Sequence, residues 1–165
     1  MKQDYFRNKI LPLSDQLFRL ALSITGNRQD AEDVVQDTLL NVWKKRDEWE
    51  TIENPEAYCY RSVRNIAIDK ISLKENQQEA WNDAYDEWDR GVSAQERLEE
   101  EEHLLLLENF IRRLPEKQRT IFQLREVENL SYRQIAETMN ISEEQIKVNL
   151  FRARQKIKAF FERLM

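Results

Sequence analysis

Residues 130–165 read LSYRQIAETMNISEEQIKVNLFRARQKIKAFFERLM. Ser131 is followed three positions later by Gln134, and Ser142 three positions later by Gln145. A serine hydroxyl accepts from the backbone amide three residues on, and a glutamine there reaches back to the serine's own amide, so each pair marks a helix start. Two short helices must therefore meet at a tight corner. Asn140 sits at that corner, and Asn is one of the few non-glycine residues that accepts a left-handed conformation. Ala136 is small enough for a close crossing. Ile135, Met139, Ile141 and Ile146 are spaced to fill the core between the helices. The pattern is a helix-turn-helix.

Each residue advances about 100° around a helix axis, so the second helix can be read face by face. Ile146, Leu150, Ala153, Ile157, Phe160 and Leu164 form one stripe. Opposite lie Glu144, Val148, Phe151, Arg152 and Gln155, flanked by Lys147, Arg154, Lys156 and Lys158. An outward Phe among basic residues is costly on a plain surface. It suits a helix laid in a major groove, where apolar groups touch thymine methyls and Arg or Lys reaches guanine or phosphate. These residues predict DNA recognition.

The chain has 165 residues, two Gly, three Pro and 35% charged residues, and its apolar spacing is heptad-like with no strand pattern. An all-α protein is expected, as two small helical domains joined by an acidic linker, the C-terminal one a helix-turn-helix domain. Residues 1–71 carry 11 Lys and Arg against 12 Asp and Glu, residues 72–102 carry 3 against 11, and residues 103–165 carry 12 against 8. An acidic protein with a basic DNA-reading end binds free DNA weakly, because non-specific affinity comes largely from phosphate neutralisation. Something else has to bring it to DNA.

Cys59 is the only Cys and His103 the only His, which excludes an intramolecular disulfide and a Cys/His zinc cluster. Gly26 and Gly91 stand in unrelated contexts, so no Gly-rich phosphate loop is possible. Neither a cofactor, a metal nor a catalytic device is expected. The longest aliphatic run, Leu104 to Leu107, is far short of a membrane span, and the N-terminus lacks an apolar signal core, so a cytoplasmic protein without membrane insertion is expected.

Along the chain, a first long helix is expected from about Tyr5 to Ile24, entered or interrupted at Pro12 and ended by Gly26-Asn27. Asp30 is expected to cap a second, Ala31 to Arg46, with Ala31, Val34, Val35, Leu39, Val42 and Trp43 inward. On its other side stand Asp33, Gln36, Asp37 and Leu40 at i, i+3, i+4 and i+7. Such a face suits a basic partner, though an ordinary solvated face would show the same spacing. Asp47 to Glu53 lacks periodicity and carries Trp49. Asn54-Pro55 then reads as an N-cap with Pro at the first helical position. The helix that follows, to about Ile71, turns Ala57, Tyr60, Val63, Ala67 and Ile71 inward and leaves Arg61, Arg64 and Asn65 outside. Cations beside a loop aromatic are the kit that holds unpaired bases. A surface helix with a half-buried Trp would look the same.

The spacing divides the chain into 1–71, an acidic linker at 72–96 and 97–165. Trp81, Tyr85 and Trp88 punctuate the linker, which its charge predicts to fold back on the basic recognition face. Leu98 to Leu114 is expected as a helix with Leu104, Leu107, Ile111 and Leu114 inward, and Pro115 opens the next.

Four stretches, DAEDVVQDTLLNVW at 30–43, NPEAYCYRSVRNIAIDK at 54–70, LPEKQR at 114–119 and LSYRQIAETMNISEEQIKVNLFRAR at 130–154, together resemble an extracytoplasmic-function sigma factor of bacterial RNA polymerase. The resemblance implies that Asp33, Gln36 and Asp37 contact the clamp helices of the β′ subunit of core polymerase. It implies that the loop from Trp49 to Asn54, with Arg61, Arg64 and Asn65, captures and helps melt the downstream promoter element. Lys147, Val148, Phe151 and Arg152, with Arg154 beside them, match the readers of the upstream element. Promoter DNA and an anti-sigma factor are the further partners it implies. Asn129 and Asn140 depart from the family's frequent Gly, and Glu143-Glu144 put two carboxylates at the start of the recognition helix. A stand-alone helix-turn-helix regulator, binding an operator as a dimer without polymerase, is the competing reading.

Overall fold

The computed structural model describes residues 2–52, 54–78 and 99–164, and among them every regular element is helical. The acidic linker's central part, with Trp81, Tyr85 and Trp88 and their expected contact with the recognition face, lies outside the described residues.

The first expected helix is broken rather than continuous. A short helix α1 (Lys2–Tyr5) passes through a π-helical turn (Phe6–Ile10) and a 3-10 turn (Leu11–Leu13) before α2 (Ser14–Thr25). Pro12 supplies no amide and its ring crowds the preceding turn, so the chain re-registers there. Gly26, at φ 67°, ends α2 in the left-handed conformation and donates its amide to the Leu22 carbonyl at 2.8 Å.

Helix α3 (Arg28–Lys44) begins three residues earlier than the sequence predicts, because Asn27 and not Asp30 is its cap. The Asn27 side-chain oxygen accepts from the Asp30 amide at 3.1 Å. Asp30 thus falls in the first turn, where its carboxylate favours the dipole and also meets Lys74. Ala31, Val34, Val35 and Val42 are buried as expected, while Leu39 and Trp43 are half-buried. A 3-10 turn (Arg46–Thr51) follows. In it Trp49 donates its indole N–H to the Val42 carbonyl at 2.9 Å and stacks on Phe6 at 6.2 Å, with Tyr5 and Trp43 against its other sides.

Asn54 caps α4 (Pro55–Gln78) as predicted, accepting from the Ala57 amide at 3.1 Å. The helix continues past Ile71 because residues 72–78 hold good helix formers and no Gly or Pro. Ala57, Tyr60, Val63 and Ala67 are buried, with Cys59 beside them.

In the second half, α5 (Glu99–Arg113), α6 (Glu116–Phe122), a π-helical turn (Gln123–Val127), α7 (Tyr132–Met139) and α8 (Glu143–Leu164) follow one another. Leu104 corrects the expected face of α5: it is 57% exposed, whereas Leu114 is buried and Leu107 and Ile111 are half-buried. The inward stripe is carried by the C-terminal half of the helix, where Phe110 stacks on Phe160 of α8 at 4.5 Å.

The two halves share one buried apolar cluster. It runs from Leu17, Leu20, Val34 and Val63 through Ile121 and Leu124 to Ile135, Ile146 and Leu150. Each fully buried Leu or Ile contributes about 1.5–3 kcal/mol relative to exposure.

Candidate nucleic-acid interface

Local hydrogen bonds fix the helix-turn-helix. The Ser131 hydroxyl accepts from the Gln134 amide at 3.1 Å, and the Gln134 side chain accepts from the Ser131 amide at 2.9 Å. At the second start the Ser142 hydroxyl accepts from the Gln145 amide at 3.1 Å. Asn140, at φ 56° and ψ 44°, makes the left-handed corner, and Asn129 does the same at φ 58° before α7. Ile135, Met139 and Ile146 are buried between the helices.

With Ile146, Leu150 and Ala153 turned inward, Lys147, Val148, Phe151 and Arg152 have no choice but to face solvent. Val148 is 46% and Phe151 61% exposed. Lys147 and Arg125 both lie over the Tyr132 ring, at 5.5 Å and 4.5 Å from its centroid. Arg125 also donates to the Leu130 carbonyl at 2.9 Å, so the cationic edge of this face is held in place. Sequence spacing missed Arg125 and Tyr132, whose meeting depends on the turn between α6 and α7. Arg154 stands apart from its neighbours: it is ion-paired with Glu126 of the π-helical turn.

A second group lies on α3. Gln36 and Asp37 are exposed, Leu40 is 56% exposed, and Asp33 has the Lys70 ammonium 3.6 Å away. Beside them Phe6, Leu11, Leu39, Leu40 and Trp43 line an apolar groove.

The third group is placed very differently. Asn65 is exposed, but Asn54, Arg61 and Arg64 point at the C-terminal half. Asn54 donates to the Glu137 carboxylate at 2.7 Å. Arg61 donates to the Thr138 carbonyl at 3.1 Å and to the Glu137 carbonyl. Arg64 makes a bidentate pair with Glu116 at 2.8 and 2.9 Å. Nearby, Arg19 of α2 pairs bidentately with Glu128, whose side chain is 1% exposed. Trp49 belongs to the aromatic cluster described above. Nothing local in the sequence signals these pairs, whose partners are 52 to 109 positions apart.

Burial pushes the Glu116 carboxyl up, but hydrogen bonds from Arg64 and Thr120 outweigh it and hold the group below its ordinary value of 4.5. The pair's contribution is therefore complete above pH 4.5 and is lost as pH falls through the lower folded value. Between about pH 6 and pH 3 the parent should lose more thermal stability than Glu116→Gln, which cannot titrate. Parallel melting curves with equal losses would show that the pair is not coupled to folding.

The sequence model for Sigma-70 region 2 matches residues 10–76, and that for Sigma-70 region 4 matches residues 104–157. The chain belongs to the sigma-70 family. Region 2 takes in α2, α3 and α4, and region 4 runs from α5 into α8 with the helix-turn-helix inside it. Relatives place this sigma factor in the extracytoplasmic-function (ECF) group. ECF RNA polymerase sigma factor SigW of Bacillus subtilis is 24% identical, with 94% of this chain and 88% of SigW covered. SigM of the same organism is 26% identical, with 90% of each chain covered. In fold it is similar to the sigma factor RpoE of Bartonella quintana, solved in complex with the anti-sigma factor NepR, at a TM-score of 0.68 and 22% identity over 95% of this chain and 96% of that one. Sigma factors direct RNA polymerase to promoters for transcription initiation, and they are regulatory proteins rather than catalysts. No helix among the described residues is long and apolar enough to cross a membrane.

Proposed function

We propose how this sigma factor divides its work along the chain. Residues 1–71 dock on core polymerase and handle the downstream element, residues 72–96 link, and residues 97–165 read the upstream element. Gln36 and Asp37, with Asp33 beside them, offer carboxylates and an amide around the exposed Leu40, a surface that suits a basic helix pair such as the β′ clamp helices. Lys147, Val148, Phe151 and Arg152 enter the major groove, and Arg154 joins them once it leaves Glu126. Asn54, Arg61, Arg64 and Asn65 hold the unpaired downstream strand, with Trp49 positioning the loop before them.

One observation carries the reading: a helix-turn-helix whose second helix exposes Val148 and Phe151 between Lys147 and Arg152. Two weak contacts on one tethered framework gain effective concentration, so a net-acidic chain is promoter-specific only as part of the polymerase. The protein works without cofactor or metal, performs no catalysis itself and acts in the cytoplasm. An anti-sigma factor, as in the RpoE complex, holds it in reserve.

Titrating labelled protein with purified core polymerase tests the docking. Saturable binding that an unlabelled housekeeping sigma factor displaces is the expected result. Specific operator binding by a dimer, with no affinity for polymerase, would replace this reading with that of a stand-alone regulator.

A further inference from the structure

We propose that Tyr5 is a positioning residue for promoter opening: it props Trp49 from one side and so fixes the angle at which the turn between α3 and α4 meets the separated strand. The inference rests on the reading of that turn as part of the downstream-element site. The turn Arg46–Thr51 buries none of its own residues, and 3-10 hydrogen bonds are poorly aligned, so its shape has to be imposed from outside. Part of the restraint comes from α3, because the last carbonyls of a helix have no partner within it. Trp49 takes the Val42 carbonyl with its indole N–H at 2.9 Å, and Arg46 takes the Trp43 carbonyl at 3.1 Å while lying over the Trp43 ring at 4.6 Å. These bonds fix where the turn starts and where the indole is attached. A single hydrogen bond at the indole edge still leaves the ring plane free to tilt.

The N-terminal segment sets that plane. Neighbours on a helix point about 100° apart, so Tyr5 and Phe6 cannot share a face, and they meet the same indole from two directions. Phe6 lies parallel to it, with 6° between the planes and centroids 6.2 Å apart, and Tyr5 leans on it at 50° and 5.4 Å. Both separations are those of favourable aromatic pairs. Phe6 also packs edge-on to Trp43 at 5.2 Å and lines the groove on α3, so it serves the framework of that helix as well. Tyr5 is 38% exposed and, among the described residues, Trp49 is the ring it touches. Lys2 stands three positions before it, on the same face of α1, and reaches Asp47 of the turn at 2.8 Å. Both side chains of that pair are largely in water, so it adds little holding force, but it lays the same face of α1 on the same turn. Tyr5 can therefore be altered without touching the docking face or the recognition helix.

The test uses the full chain and two readouts. Fluorine spectra of protein carrying 5-fluorotryptophan report on the indole, with Trp49→Phe identifying its signal. Permanganate reactivity of unpaired thymines, in holoenzyme on duplex promoter DNA mapped for this protein, reports on opening. Tyr5→Ala should move the Trp49 signal and slow opening about tenfold, the result if the turn holds its working angle one tenth of the time. Binding to core polymerase and discrimination among upstream-element substitutions should match the parent. Tyr5→Phe keeps the ring and should restore both the signal and the rate. Tyr5→Leu, which keeps apolar bulk without an aromatic face, takes the place of Tyr5→Ala if that variant does not fold. An unchanged Trp49 signal would overturn the contact, and a moved signal with parental opening would overturn the positioning role. An equal loss of polymerase binding, or no rescue by Tyr5→Phe, would overturn it too. Holoenzyme carrying Trp49→Ala separates this inference from the reading beneath it. If that variant opens promoters as the parent does, the turn is not part of the downstream-element site; if it is slow and Tyr5→Ala is not, only the role of Tyr5 falls.

Discussion

Asp33→Lys combined with Asp37→Lys should weaken binding to core polymerase at least about a hundredfold, the equivalent of about 2.7 kcal/mol. The same variant should shift the unfolding midpoint by no more than about 2–4 °C, which corresponds to about 1 kcal/mol at this chain length. The two effects separate because the carboxylates have little to do with folding. Asp37 is exposed, and among the described residues Asp33 pairs with Lys70 at 3.6 Å, a half-exposed pair worth about 0–1 kcal/mol. What the reversal does alter is the sign of the surface around Leu40, so a basic partner is repelled where it was attracted. Titration with core polymerase and a melting curve on one preparation read both quantities. A large loss of stability would make the face structural, and unaltered binding would make it unused.

Phe151→Ala with Arg152→Ala should lower transcription from cognate promoters by about tenfold to a hundredfold or more, from about 1–3 kcal/mol for a bidentate guanine contact plus the lost apolar contact. Stability should hardly change, because Phe151 is 61% exposed and Arg152 is exposed as well. The loss must also be selective. Discrimination should relax at particular upstream base pairs, and binding to core polymerase should match that of the parent. Measuring transcription from a set of single upstream substitutions distinguishes this from a general defect. If variant and parent respond alike to every substitution, α8 is not the reader.

How much of this could be read from the chain depends on how far apart the interacting residues stand. The helix-turn-helix was legible because its determinants are local: Ser131 and Gln134 close a hydrogen-bonded ring within one turn, and Asn140 needs only its own backbone freedom. The outward set on α8 followed from its period, since burying Ile146 and Leu150 dictates where Phe151 goes. Local rules also erred locally. Asn27 and Asp30 are both good caps three residues apart, and the one nearer Gly26 won because α2 ends there. Leu104 fits the helical period of α5, yet that end of the helix meets too little of the core to bury it. The contact between halves was invisible for another reason. Arg19 and Glu128 are 109 positions apart and Arg61 bonds to backbone carbonyls, which leave no trace in residue identity. The same arginines that spacing marked as available for DNA are, for that reason, found engaged.

Run-off transcription with purified core polymerase on fragmented genomic DNA, followed by mapping of the transcript 5′ ends, tests the account most directly. With this protein added, initiation should concentrate at discrete sites preceded by two shared elements at a fixed spacing, and the Phe151→Ala, Arg152→Ala variant should lose those sites while still binding polymerase. Tight binding to core polymerase with no such sites, or sites unchanged in the variant, would contradict it.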